Sequence, residues 1–285
     1  MASYSFWLNQ SNLVPTTANN IYTLNFSNTF DLRDKEVAVT GITIPYSWYN
    51  ITALYGNNSF EYVWIDGSVN SVVYPDGGYN SAADLNSYLQ YVMQTNGHYL
   101  INDTGADVFF LNIAVNPIAY GIEISSLVTP SSLPTGWSLP AGAGWSLNGY
   151  SPQFYLNNPA FNKFLGFNST ATYYPSNLGV QTGNLSFQSQ NTPDFSTIQT
   201  VYLSTNTVNN LYSATPGVFF SFVPNLPYGN LLDIKPQQFL FCSCSGAGSQ
   251  TNITVRFLDQ NFRPLNILDT NLQIGIMVRT IGSRS

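Results

Sequence analysis

The sequence predicts a mainly β protein: a single jelly-roll β-sandwich interrupted by an inserted α+β domain. Three observations predict it. Strand-like runs open and close the chain, about eight in all, the number a jelly roll needs. Between the two groups the texture changes to a module carrying two helical patterns. The composition, 44% apolar and 15% aromatic over 285 residues, supplies a large core, so neither disorder nor a disulfide scaffold is implied.

The first part of the jelly roll is assigned to residues 1–67, behind a polar N-terminal arm at 1–18. In "NIYTLNFSNTFDL" (20–32), Ile21, Leu24, Phe26 and Phe30 alternate loosely with polar residues, as in a half-buried strand. "KEVAVTGITIPYSWYNI" follows as a second strand and "FEYVWIDG" (60–67) as a third, closed by an Asp-Gly turn signal. The inserted α+β domain is assigned to 68–177. After a Pro-Asp-Gly-Gly turn, Ala82, Leu85, Leu89 and Val92 recur on one helical face, with Asn80 or Ser81 as cap, Asp84 in the first turn and Gly97 as the stop. Residues 108–128 read as two strands joined through Asn116-Pro117. A loop rich in Gly, Pro and Trp (129–153) leads to a short helix with Asn158 as cap, Pro159 in its first turn and Gly166 at its end. The second part of the jelly roll, 178–285, is all strand: 197–205, 217–226, 237–245, "NITVRFLD" and "NLQIGIMVRT".

Composition also narrows function. Charged residues are 8% of the chain, against about 25% in an average soluble protein. A surface of Asn, Ser, Thr and Tyr offers little repulsion against association and suits a protein covered by copies of itself. The net charge of -6 argues against strong nucleic-acid binding, which needs accumulated Lys and Arg. The N-terminal stretch lacks a basic region followed by an apolar core, so no signal peptide is expected, and no apolar run reaches membrane-spanning length.

No catalytic constellation emerges, and the chain is not expected to be an enzyme. The single histidine, His98, reads as a solvated turn residue. Cys242 and Cys244 lack the further Cys or His that would complete a metal site, and they read as buried thiols. No cofactor and no metal are expected.

Positive charge concentrates at the C-terminal end, where Arg256, Arg263, Arg279 and Arg284 make up half of the eight basic residues. Arg256 and Arg279 are expected on the last two strands, paired as a hairpin, with Arg263 in the turn and Asp259 or Asp269 as local partners.

Several phrases, in order, carry a likeness: "VVYPDGGYNSAADLNSYLQYVM", "FNKFLGF…YYP", "VNNLYSATPGVFFSFVPNLPYGNLLDIKP" and "ITVRFLDQNFRPLNILDTNLQIGIMV". Together, across about 250 residues, they resemble the penton (minor capsid) proteins of virophages, polinton-like viruses and viral-type Polinton elements. The resemblance implies a single upright jelly roll, five copies of which fill an icosahedral vertex of the virion, with an extra domain between strands displayed outward. The implied partners are the chain itself, as a homopentamer, and the major capsid protein. The four arginines are then candidates for subunit contact. An alternative is a host-attachment or carbohydrate-binding jelly roll, with exposed Trp137, Trp145 and Tyr150 stacking on a host-surface glycan or receptor.

Overall fold

The computed structural model describes residues 3–176, 184–208, 210, 215, 217–244 and 248–281. The chain divides into two compact units, one made of Met1–Trp48 and Ile198–Ser285, the other of Tyr49–Thr197. In chain order the elements are β1 (Ser3–Asn9), β2 (Ile21–Asp31), β3 (Lys35–Pro45), β4 (Ser59–Val63), β5 (Val69–Val73), α1 (Ala82–Thr95), β6 (Leu100–Ile101), β7 (Asp107–Val108), β8 (Leu111–Asn116) and β9 (Gly121–Ser126). They continue with β10 (Gln153–Leu156), α2 (Pro159–Leu165), β11 (Thr172–Tyr174), β12 (Leu185–Gln188), β13 (Val201–Thr205), β14 (Val218–Phe222), β15 (Leu231–Ile234), β16 (Cys242–Ser243), β17 (Ser249–Leu258) and β18 (Gln273–Thr280).

The first unit is the jelly roll. One sheet has the order β1-β18-β3-β15, with β16 also on β3, and the other has the order β14-β13-β17-β2. All pairings described in it are antiparallel. Strict alternation sets the inner faces: Ile253, Val255 and Phe257 of β17 are buried, as are Ile274, Ile276 and Val278 of β18. At one margin the sheets are joined by aromatic rings, with Phe6 of β1 5.3 Å from Phe26 and 5.5 Å from Phe30 of β2.

Three expectations are corrected in this unit. The supposed N-terminal arm is a jelly-roll strand: Tyr4, Phe6 and Leu8 lie opposite Val278, Ile276 and Ile274, and the intervening Ser and Trp residues take the other face. The run at 237–245 supplies only the short β16 among the described residues, because β3 takes most of its partner from β15, over "LLDI", which lies outside the strands read from the sequence. The final strands do not form a hairpin. β17 pairs with β2 and β13, whereas β18 pairs with β1 and β3, so the connection between them crosses from one sheet to the other.

The second unit is inserted between β3 and β13 and is wider than the 68–177 read from sequence. The reason is packing. β4 pairs with β5 and β10, and its Phe60 and Tyr62 enter the core of this unit rather than that of the jelly roll. β12, at the far end, pairs with β9. Phe60 stacks on Phe154 (5.8 Å) and Phe161 (5.3 Å), tying the sheet β11-β10-β4-β5 to α2. A second sheet, β12-β9-β8, packs with α1 in the same core.

Both helices begin as their sequences dictate. Ser81 caps α1 in a box with Asp84, and Asn158 caps α2 with Pro159 behind it. The buried face of α1 is Ala82, Leu85, Leu89 and Met93, with Val92 at its margin. Among the described residues no helix is long and apolar enough to cross a membrane.

Candidate functional site

The arginines separate into different environments. Arg263 is held by its own turn: its Nε donates to Asp259 Oδ2 at 2.8 Å, while Asp259 Oδ1 accepts from the backbone N–H groups of Asn261 and Arg263. Asp259 is fully buried, so this pair neutralises a charge that would otherwise be costly to bury, and its role is in folding the crossing between sheets. Arg279 lies opposite Glu36 in the β18–β3 register and pairs with it, its guanidinium 3.5 Å from the Phe241 ring centroid. Arg256 differs. It is exposed on β17 between Ser204 and Ile21 and has no ion-pair partner among the described residues. Arg284 lies outside the described residues.

The outer face of the sheet containing β18 carries a groove of about 560 Å³. Its walls are Trp7, Leu231 and Phe239, which are 56%, 56% and 44% exposed. Its floor is narrow backbone: Gly41 faces Gly275 across β3–β18, and Trp7 faces Gly275 across β1–β18. A side chain at Gly275 would strike Thr40 Oγ1 and come within 2.9 Å of the Trp7 ring, so glycine is what lets Trp7 lie against the sheet. At one end the Asp233–Lys235 ion pair (2.7 Å) supplies charge of both signs. Sequence reading missed this surface, although "SFWLN" marks Trp7 as the odd member of an alternating strand.

The expected aromatic platform is corrected. Trp145 is buried, its Nε1–H donating to Gly97 O at 2.8 Å and its ring set edge-on to Trp64 at 5.1 Å. Trp137 and Tyr150 pack partly buried against the same core. The three rings hold the 129–153 loop down instead of presenting a flat exposed surface.

His98 is also buried rather than solvated. It stacks on Trp64 at 4.6 Å, and its Nδ1 lies 2.7 Å from the Tyr62 hydroxyl, which accepts from Asn96 Nδ2 at 3.0 Å. With Asn96 occupying one lone pair of that hydroxyl, its own proton is free to be donated to Nδ1, the arrangement of a neutral imidazole with its hydrogen on Nε2. Burial lowers the His98 pKa to about 4. Cys244 is buried and Cys242 half-buried, and burial pushes the Cys244 thiol up to about 11. Among the described residues no group of three or more His, Cys, Asp or Glu side chains is placed to hold a metal.

The chain is similar to the selenomethionine-labelled mavirus penton protein, known from a crystal structure. The TM-score is 0.49 and the identity 12%, over 98% of this chain and 99% of that one. No protein-family model and no curated protein matches the chain.

Proposed function

We propose that the chain is a structural capsid protein of the penton type, acting by assembly and not by catalysis. Five copies close a ring at each icosahedral vertex of a small double-stranded DNA virus, and the ring docks against the major capsid protein. The observation that carries this reading is the jelly roll whose β3-to-β13 connection is an entire folded unit. That arrangement is the one implied by the penton-like phrases of the sequence. The nearly uncharged, Asn- and Thr-rich surface of β17 and its neighbours adds support, since it favours contact with other copies over free solution.

A closed ring is built by a heterologous interface, so each copy must offer two different surfaces. The two sheets of the sandwich supply two. The groove of Trp7, Leu231 and Phe239 lies on the outer face of one, and Arg256 stands on the outer face of the other. Arg263 and Arg279 are engaged within their own chain and are assigned no part in the contact.

Light scattering on the purified chain tests the reading. The expected species has about five times the chain mass of 31.5 kDa. Arg256→Glu and Leu231→Lys should each shift it toward monomer without loss of the circular-dichroism spectrum. A chain that stays monomeric and fails to join particles when mixed with major capsid protein would overturn the proposal.

A further inference from the structure

The charge of this molecule is unevenly divided. The inserted unit, Tyr49–Thr197, holds eight acidic residues and a single lysine, Lys163, a formal charge of -7 with His98 neutral. The jelly-roll unit holds seven basic and six acidic residues, a formal charge of +1. All of the net negative charge therefore belongs to the inserted unit.

One face of that unit gathers electron-rich groups. Across the sheet β5-β4-β10-β11, register places Ser71 opposite Glu61, Glu61 opposite Tyr155 and Tyr155 opposite Tyr173. These four side chains form one row, on the side of the sheet away from Phe60, Tyr62 and Phe154, which enter the core. The two tyrosine rings stack face to face, 4.1 Å apart and 5° from parallel. One Tyr155 face is covered by Tyr173, and register places Glu61 on the neighbouring strand on its other side. Glu61 makes no hydrogen bond or ion pair among the described residues. Val69 and Val73, 58% and 53% exposed, flank the Ser71 end.

A carboxylate without a counter-ion beside a stacked π surface attracts a cation twice over, by charge and by the ring quadrupole. Exposed valines beside it match the aliphatic stem of a long cationic side chain. The ring pair is less suited to stacking a sugar, because each ring hides one face of the other. The Tyr173 phenol is pushed above its ordinary pKa by partial desolvation and then by Tyr155 and Glu61, in keeping with an electron-rich site.

We infer that the row Ser71–Glu61–Tyr155–Tyr173 is a docking site for a lysine or arginine side chain on a basic segment of a protein partner. The field of the -7 unit draws the segment in and Glu61 with Tyr155 fixes the side chain. The assignment rests on the inserted unit alone and does not depend on the five-fold reading.

The test is fluorescence anisotropy with a labelled tetra-arginine peptide and the full chain, at low and physiological salt. Saturable binding is expected to weaken at least tenfold in Glu61→Gln and several-fold in Tyr155→Leu, with Tyr173→Phe close to the parent. Asp103→Asn, which removes an exposed charge from the same unit, should change affinity less than twofold. Near-UV circular dichroism verifies that each variant is folded. Equal weakening by Asp103→Asn and Glu61→Gln would mean diffuse attraction only and overturn the site. So would an unchanged Tyr155→Leu, or binding of a neutral oligosaccharide that is lost in Tyr155→Leu but kept in Glu61→Gln.

Discussion

Acidification should unfasten the inserted unit through His98. In the folded chain His98 is buried against Trp64 and Tyr62, so protonation would place a positive charge out of reach of water. The folded pKa of about 4 lies below the unfolded value near 6.5, so between them the unfolded chain binds more protons and stability rises with pH. The contribution is therefore complete above about pH 6.5 and is lost as pH falls toward 4. Integrating that proton uptake gives a loss of about 2 kcal/mol between pH 7 and pH 4.5. Urea unfolding followed by tryptophan fluorescence would read this as a midpoint lowered by about 1 M. His98→Gln, less stable at pH 7, should lack this part of the pH dependence. Parallel pH profiles for the parent and His98→Gln would refute the reasoning.

Other perturbations follow from local geometry. Ser81→Ala removes the side chain that accepts from Asp84 N–H and should cost about 1 kcal/mol, measured by chemical denaturation. Gly275→Ala would drive a methyl group into Thr40 and the Trp7 ring, so Trp7 should leave the sheet, with a shift in its fluorescence and faster amide exchange in β1. Cys244, buried and with its thiol pushed up to about 11, should react with a disulfide reagent at pH 8 at least about a hundredfold more slowly than free cysteine, and unfolding in urea should restore the rate.

The sequence was most legible where one signal decides the outcome locally. Ser81 with Asp84, and Asn158 with Pro159 and Gly166, mark both helices, and the alternation in β17 and β18 marks both strands. It was least legible where partners decide. Nothing in "FEYVW" distinguishes a jelly-roll strand from one that pairs with β10, nearly a hundred residues later, so the unit boundary was misplaced. The arginines cluster in sequence but not in the fold, because β17 and β18 belong to different sheets. The sequence shows Trp145 only as part of a loop rich in Gly, Pro and Trp, and the fold alone brings Trp64 and Gly97 to it. The charge excess of the inserted unit can be counted from the sequence only once the limits of that unit are known.

The inserted unit is closed where the chain enters and leaves it. Asn50 Nδ2 donates to Phe195 O at 2.8 Å, and Thr197 Oγ1 donates to Asn50 O at 3.3 Å. Residues near the two ends of the excursion are thus hydrogen-bonded to each other. Because the two ends meet within the unit, the length of chain between them is set by the unit's own packing and not by a gap that it must bridge.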